Sequence, residues 1–216
     1  MRADEPYLNF GAGNPVPGWV NLDASPFFRL PRWMHRCLGA AGVQRSKNFT
    51  RGFYKHYRHQ SGRRLPFVDD SFQVIYASHV LEHVPADALE GLFVEFHRIL
   101  APEGLLRVVV PDLRTNLITA LEEEHGWVSL DRVLHITALT GASRFTRALE
   151  GWAGFPSMHR VVFLPESLER ALGEGWRVRT RLSFLESDID AERLRAVEQE
   201  RRCKDAVIVE ARKVIE

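Results

Sequence analysis

The chain has 216 residues, 45% of them hydrophobic and 26% charged, with a formal net charge of +1. That is ordinary globular composition in one domain's length, which argues against disordered, collagen-like and coiled-coil classes. No apolar run approaches the roughly 18 residues of a membrane-spanning helix, and the first five residues have no signal-peptide character. Cys37 and Cys203 lack metal-ligand spacing, so a reducing cytoplasmic setting and no metal site are expected.

In chain order, Tyr7–Phe10 reads as a strand that runs into the turn-rich loop Gly11-Ala12-Gly13-Asn14-Pro15-Val16-Pro17-Gly18. Trp19–Asp23 reads as a second strand. Pro15 and Pro17 make a full helix between the two improbable, whereas parallel strands usually need such a crossover. Phe28–Leu38 is a candidate amphipathic helix interrupted at Pro31. Ser71–Ser78 is a buried strand after the turn Val68-Asp69-Asp70. Leu89, Leu92, Phe93, Phe96, Ile99 and Leu100 recur at helical spacing across 87–100. Ala101–Gly104 then ends that helix, and Leu105–Val110 is a strand. Residues 113–160 read as an inserted helical cap. A helix is expected from Pro165, with closing strands at 178–185 and 206–211. The alternation predicts an α/β fold: a Rossmann-like, mainly parallel sheet in a single domain, 1–216, with a shortened first crossover.

Two features along this path suggest chemistry. Gly11, Ala12 and Gly13 lie where a strand ends, the usual ligand edge of an open α/β sheet, and glycine there allows close backbone approach to a ligand. The alternative is an ordinary tight turn. Asp23 ends the second strand, where a carboxylate can accept hydrogen bonds from both hydroxyls of a ribose; otherwise it caps a turn. Its distance from the glycines falls short of the roughly 20 residues of the dinucleotide fingerprint, which argues against an NAD enzyme.

A third constellation carries a family resemblance. Leu65-Pro66-Phe67-Val68-Asp69-Asp70-Ser71-Phe72 is followed by Ser78-His79-Val80-Leu81-Glu82-His83-Val84 and by Arg98-Ile99-Leu100-Ala101-Pro102-Glu103-Gly104. With Phe10-Gly11-Ala12-Gly13, these resemble the methyltransferase type 11 family, over residues 7–112. Gly18-Trp19-Val20-Asn21-Leu22-Asp23, Arg107-Val108-Val109-Val110-Pro111-Asp112-Leu113 and His159-Arg160 resemble a bacterial subgroup associated with surface-polysaccharide genes, and extend the likeness to about residue 175. That subgroup also shortens the first crossover. The sequence departs from the family in three places. Pro15 stands at the third glycine position, His59–Arg64 at a stretch that often carries an adenine-side acid, and Gln73 at a strand aspartate.

The resemblance implies a class I methyltransferase with S-adenosylmethionine as cofactor, contacted by Gly11, Ala12, Gly13, Asp23, Arg64, Leu65, Ser78 and His79. The sulfonium makes its own methyl electrophilic, so the protein need only align a nucleophile and supply a base for a hydroxyl. His159 is the first candidate base and His83 the second, with Asp112 weaker. Each histidine has a structural alternative, a helix-start contact for His83 and a solvated loop for His159. The expected acceptor is a small molecule or a lipid-linked glycan.

Charge distribution bears on that acceptor. Residues 24–68 hold ten Lys and Arg and no Asp or Glu. Interleaved aromatics include Phe27, Phe28 and Trp33. The stretch reads as a solvated surface, as a site for an anionic acceptor, or as a peripheral membrane contact. RNA methylation and a non-catalytic binding module remain the competing functions. Near-neutral overall charge makes nucleic acid the least favoured partner.

Overall fold

The computed structural model describes residues 5–13, 15–23, 31–40, 54–56, 64–123, 159–180 and 182–214. Its frame is a seven-stranded sheet made of β1 (Tyr7–Phe10), β2 (Val20–Asp23), β3 (Tyr54–His56), β4 (Phe72–Ser78), β5 (Leu100–Pro111), β6 (Trp176–Arg179) and β7 (Ala206–Lys213). The spatial order is β3-β2-β1-β4-β5-β7-β6. Every pairing from β3 to β5 is parallel, and β7 runs antiparallel between β5 and β6. This is the expected doubly wound arrangement, with the order reversing beside β1, where such sheets open a ligand crevice.

The helices are α1 (Arg32–Ala40), α2 (Ala86–Ile99), α3 (Leu113–Glu123), α4 (Pro165–Leu172), α5 (Ala191–Val197) and α6 (Glu200–Cys203), with a 3-10 turn at Leu81–His83. One face of the sheet buries Leu8, Phe10, Ile75 and Val108 against Leu92, Phe93 and Phe96 of α2 and Leu168 and Leu172 of α4. The other packs Trp19, Tyr76, Val109 and Ile208 against Leu194 of α5. The strands are apolar on both sides because both faces are covered. No helix among the described residues is long and apolar enough to cross a membrane.

The connection from β1 to β2 contains no helix among its described residues, as the two prolines require. Several boundaries move. α1 runs from Arg32, directly after Pro31, to Ala40, while 28–30 of the expected helix lie outside the described residues. β5 starts at Leu100, so Ala101–Gly104 belongs to a strand and not to a loop; Leu100 is fully buried and pairs with Phe72. β6 lies at 176–179, earlier than the 178–185 expected. α3 lies at the start of the 113–160 segment expected as a cap, of which 124–158 lies outside the described residues. So does most of the basic stretch, apart from 31–40, 54–56 and 64–68.

Arg107 holds the C-terminal part to the sheet. Its side chain is fully buried in β5, bonded to Glu198 at 2.7 and 3.0 Å and to Glu210 at 2.9 Å. It also donates to the carbonyls of Glu186 and Ser183. A buried cation with two buried carboxylates persists only where geometry and hydrogen bonding are this complete.

Candidate active site

The site begins with the glycine loop. Gly11 and Gly13 both have positive φ, at 67° and 48°, a region other residues enter at a cost. The N–H groups of Gly11 and Ala12 donate to the Leu22 carbonyl at 2.8 and 3.2 Å, folding the loop over the end of β2. A Cβ on Gly11 would run into the Val80 side chain. A Cβ on Gly13 would meet nothing within 4 Å, so the loop is open on that side.

Asp23 lies buried at the end of β2, and its Oδ2 accepts the Gly13 N–H at 2.7 Å. The carboxylate and the glycine loop are thus joined directly. A pair of buried asparagines completes the support. Asn9 donates to Asn21 Oδ1 at 3.0 Å across β1 and β2; Asn21 in turn bonds both the N–H and the carbonyl of Val16 and the carbonyl of Trp19. Sequence reasoning missed this clamp. Asn9 lies in the first strand and Asn21 in the Gly18–Asp23 motif, but a polar residue in a short strand gives no sign of which neighbour it bonds.

Arg64 and Leu65 sit at the start of the next turn. The Leu65 side chain is buried and its N–H donates to Glu95 Oε2 at 2.7 Å. Arg64 is exposed and faces Asp69 and Glu95 at 3.9 and 3.8 Å. Arg98 fixes the turn by donating to the Leu65 and Phe67 carbonyls, to Asp69 and to Glu95. The Arg98 hydrogen bond holds the carboxyls of both Glu95 and Asp69 below their ordinary range. In this structure, therefore, Arg64 and Leu65 engage α2 and its ion pairs.

Beyond β4 the chain turns sharply. Ser78 is buried at the strand end, and His79 has φ of 51°, with its N–H bonded to the Val109 carbonyl at 2.8 Å. The His79 ring is held from two sides: Nε2 donates to the Arg202 carbonyl at 2.9 Å, and Nδ1 lies 3.4 Å from Glu82 Oε1. Val80, which packs on Gly11, leads into the 3-10 turn Leu81–His83.

Here two distant segments meet. The Glu82 carbonyl accepts the N–H groups of Arg160 at 2.7 Å and Val161 at 3.2 Å. His159 Nε2 is consequently 3.9 Å from Glu82 Oε1, and its ring packs edge-to-face on His83 with centroids 5.0 Å apart. A cavity beside them is lined by Glu82, Pro111, Leu113, Asn116, His159 and Val161. The structure thus brings His83 and His159 together, and places His79 on the same carboxylate. Asp112 is occupied otherwise. Its two carboxylate oxygens accept from Arg114 N–H and the Thr115 hydroxyl at the start of α3, the work of a helix cap. Glu82 was quoted in the motif but given no role, because only the fold shows that it is buried between histidines.

Comparison with known proteins bears on the fold. Residues 34–108 match the family described as "Methyltransferase domain". No curated protein matches the chain. Among solved structures, an S-adenosylmethionine-dependent methyltransferase from Methanosarcina mazei is 15% identical with a TM-score of 0.52, covering 100% of this chain and 95% of that one. A protein of Pyrococcus horikoshii is 14% identical with a TM-score of 0.51, over 97% and 81% of the two chains. A chain from the complex of the Haloferax volcanii Trm112 methyltransferase activator with a methyltransferase is 15% identical with a TM-score of 0.51, over 100% and 85%. The fold is shared with these structures, and the matched stretch is a methyltransferase domain.

Proposed function

We propose that this chain transfers the methyl of S-adenosylmethionine to a hydroxyl of an anionic small molecule or glycan. One observation carries the reading: Val80 packs against Gly11 of the open glycine loop, and the Glu82, His83 and His159 cluster follows within one turn. A nucleoside-binding edge and a set of proton-handling groups therefore adjoin. When bound, the cofactor supplies an electrophilic methyl.

The residues present fit that cofactor. Gly11–Gly13 offer backbone that a ligand can approach closely, and Asp23 supplies a buried carboxylate at the strand end. His159 takes the proton from the acceptor hydroxyl, and the Glu82 carboxylate beside its Nε2 favours the resulting imidazolium. His83 is the reserve base. The acceptor is anionic because the 24–68 stretch carries ten cations and no carboxylate. Cys37 and Cys203 are free thiols, in keeping with a reducing cytoplasm. The surface-polysaccharide subgroup supports a glycan-type acceptor through the residue 18–23, 107–113 and 159–160 motifs.

The experiment is twofold. Calorimetric titration with S-adenosylhomocysteine should show saturable binding to the parent protein; no binding would reduce the chain to a non-catalytic module. His159→Ala should then slow methyl transfer by roughly 10²- to 10⁴-fold while S-adenosylhomocysteine binds as before. Unaltered turnover would remove His159 from the chemistry.

A further inference from the structure

Glu82 is 1% exposed, and neither of its carboxylate oxygens accepts a hydrogen bond among the described residues. A buried carboxylate without donors is costly unless a cation compensates it. What surrounds it are imidazole nitrogens. Glu82, His83 and His159 each present a ligand atom, and these atoms all lie within 4.8 Å of one another.

His79 adds an independent observation. Its Nε2–H donates to the Arg202 carbonyl, so in the neutral ring Nδ1 turns a lone pair toward Glu82 Oε1 at 3.4 Å. Two acceptors facing each other need a proton or a metal cation between them. A histidine that donates one nitrogen to a backbone carbonyl and offers the other inward is the usual posture of a metal ligand.

We infer that Glu82, His83 and His159 form a binding site for one divalent transition-metal ion, zinc or a metal of similar ligand preference, with His79 on its flank. Two imidazoles and one carboxylate suit zinc, cobalt or ferrous iron better than magnesium or calcium, which favour all-oxygen sites. Three protein ligands leave a coordination position for a further molecule, as in catalytic metal sites. A cation about 2.0–2.2 Å from each ligand brings neighbouring donors to roughly 3.0–3.6 Å. The 3.9 Å between Glu82 and His159 therefore closes with a small side-chain rotation. The backbone needs no rearrangement, because Arg160 and Val161 already fasten the His159 segment to the Glu82 carbonyl. A small cavity lined by Pro111, Leu113, Asn116 and Val161 adjoins the cluster.

The inference goes beyond the proposed methyl transfer and does not rest on it. With a cation in place His159 would serve as a ligand, and the cation would acidify a bound hydroxyl in its stead.

The test titrates the full chain, dialysed against chelator, with cobalt(II) and zinc(II) chloride. The expected result is one-to-one binding with visible cobalt absorption and a zinc-dependent rise in the unfolding temperature. Glu82→Gln, His83→Ala and His159→Ala should each weaken binding by about tenfold or more. His97→Ala should leave it unchanged, since His97 packs on Trp176 and Gly175 at the far end of α2. Unfolding temperatures measured without metal establish that each variant folds; His159→Ala removes no buried apolar side chain and serves if another fails. No saturable binding, or binding that survives both histidine changes, overturns the site. S-adenosylhomocysteine is titrated separately into the same preparation. Its failure to bind would refute the methyltransferase reading alone.

Discussion

Replacing Asp23 separates the loop anchor that its carboxylate provides in this structure from the ribose contact proposed for it. Oδ2 accepts the Gly13 N–H at 2.7 Å whether or not a ligand is bound. A hydrogen bond to a charged, buried group contributes about 1.5–3 kcal/mol. Because that bond is common to the free and bound protein, its loss in Asp23→Ala cancels to first order from the binding free energy. It falls on stability instead. For a chain of this length each kcal/mol moves the unfolding temperature by roughly 2–4 °C, so a fall of roughly 3–12 °C is expected. The proposed ribose hydrogen bonds would form only in the complex. Losing two of them costs about 2–3 kcal/mol, which weakens S-adenosylhomocysteine by roughly 30- to 150-fold. Asp23→Asn divides the two effects, since its amide oxygen can still accept from Gly13 but its amide nitrogen cannot accept from a hydroxyl. It should unfold near the parent temperature and bind with intermediate affinity. Calorimetry and thermal unfolding on the same samples give both numbers. Parent-like affinity in Asp23→Ala would refute the ribose placement, and a parent-like unfolding temperature would refute the loop anchor.

Two further outcomes follow from buried charge. Arg107→Met strands Glu198 and Glu210 in the interior and should cost about 3–5 kcal/mol, read as a fall of roughly 6–20 °C in calorimetry; a loss below about 1 kcal/mol would mean that the carboxylates reach water. Glu95→Gln should destabilise the protein in urea at neutral pH. The Arg98 hydrogen bond depresses the folded-state value of this carboxyl, so its contribution is full above the unfolded value of about 4.3 and fades as the pH falls through the lower folded one. The gap between parent and variant should therefore close on acidification, and a gap that widens would reverse the reasoning.

The elements that the sequence announced are those whose pattern and burial coincide. α2 shows its buried face through Leu89, Leu92, Phe93, Phe96 and Ile99. β1, β4 and β7 are short apolar runs bounded by turns. The helices α5 and α6 went unforeseen because they bury almost nothing: Leu194 is the sole buried side chain of α5, and α6 has none. β3, with the sequence Tyr54-Lys55-His56, has no apolar alternation and exists because β2 offers it a free edge. Pro102 suggested a break, but the proline tolerates the outer end of β5, where residues 101–103 are not buried. The strand patterns placed Gly11, Asp23 and His79 at the ends of β1, β2 and β4. The meeting of His159 with Glu82, 77 positions apart by their numbers, has no local signature. Nor does the Glu95–Arg98 pair that occupies the turn at Arg64 and Leu65.

Why these contacts converge follows from how β4 ends. Continuing the strand past Ser78 would carry the chain away from the glycine loop. His79 adopts a left-handed conformation instead, an uncommon state for a residue with a Cβ and one that costs about 1–3 kcal/mol unless its surroundings enforce it. Here Val109 holds its N–H and Arg202 holds its ring. The turn throws Val80 back onto Gly11, so the first loop and the β4 end share one packed contact. The next residues must then form the 3-10 turn beside the end of β5. Their outward groups, the Glu82 carbonyl and carboxylate, are met by the strand-like return at 159–163, itself tied to Asp112 and Leu113 through Phe163. His79 and His159 thus reach one carboxylate from two separate stretches of chain, with Arg202 holding the His79 ring and Arg160 and Val161 holding the Glu82 carbonyl. A surface glutamate would need none of this. Drawing two segments around a buried anion costs stability in the absence of a compensating charge, so Glu82 as well as the glycine loop marks a candidate site.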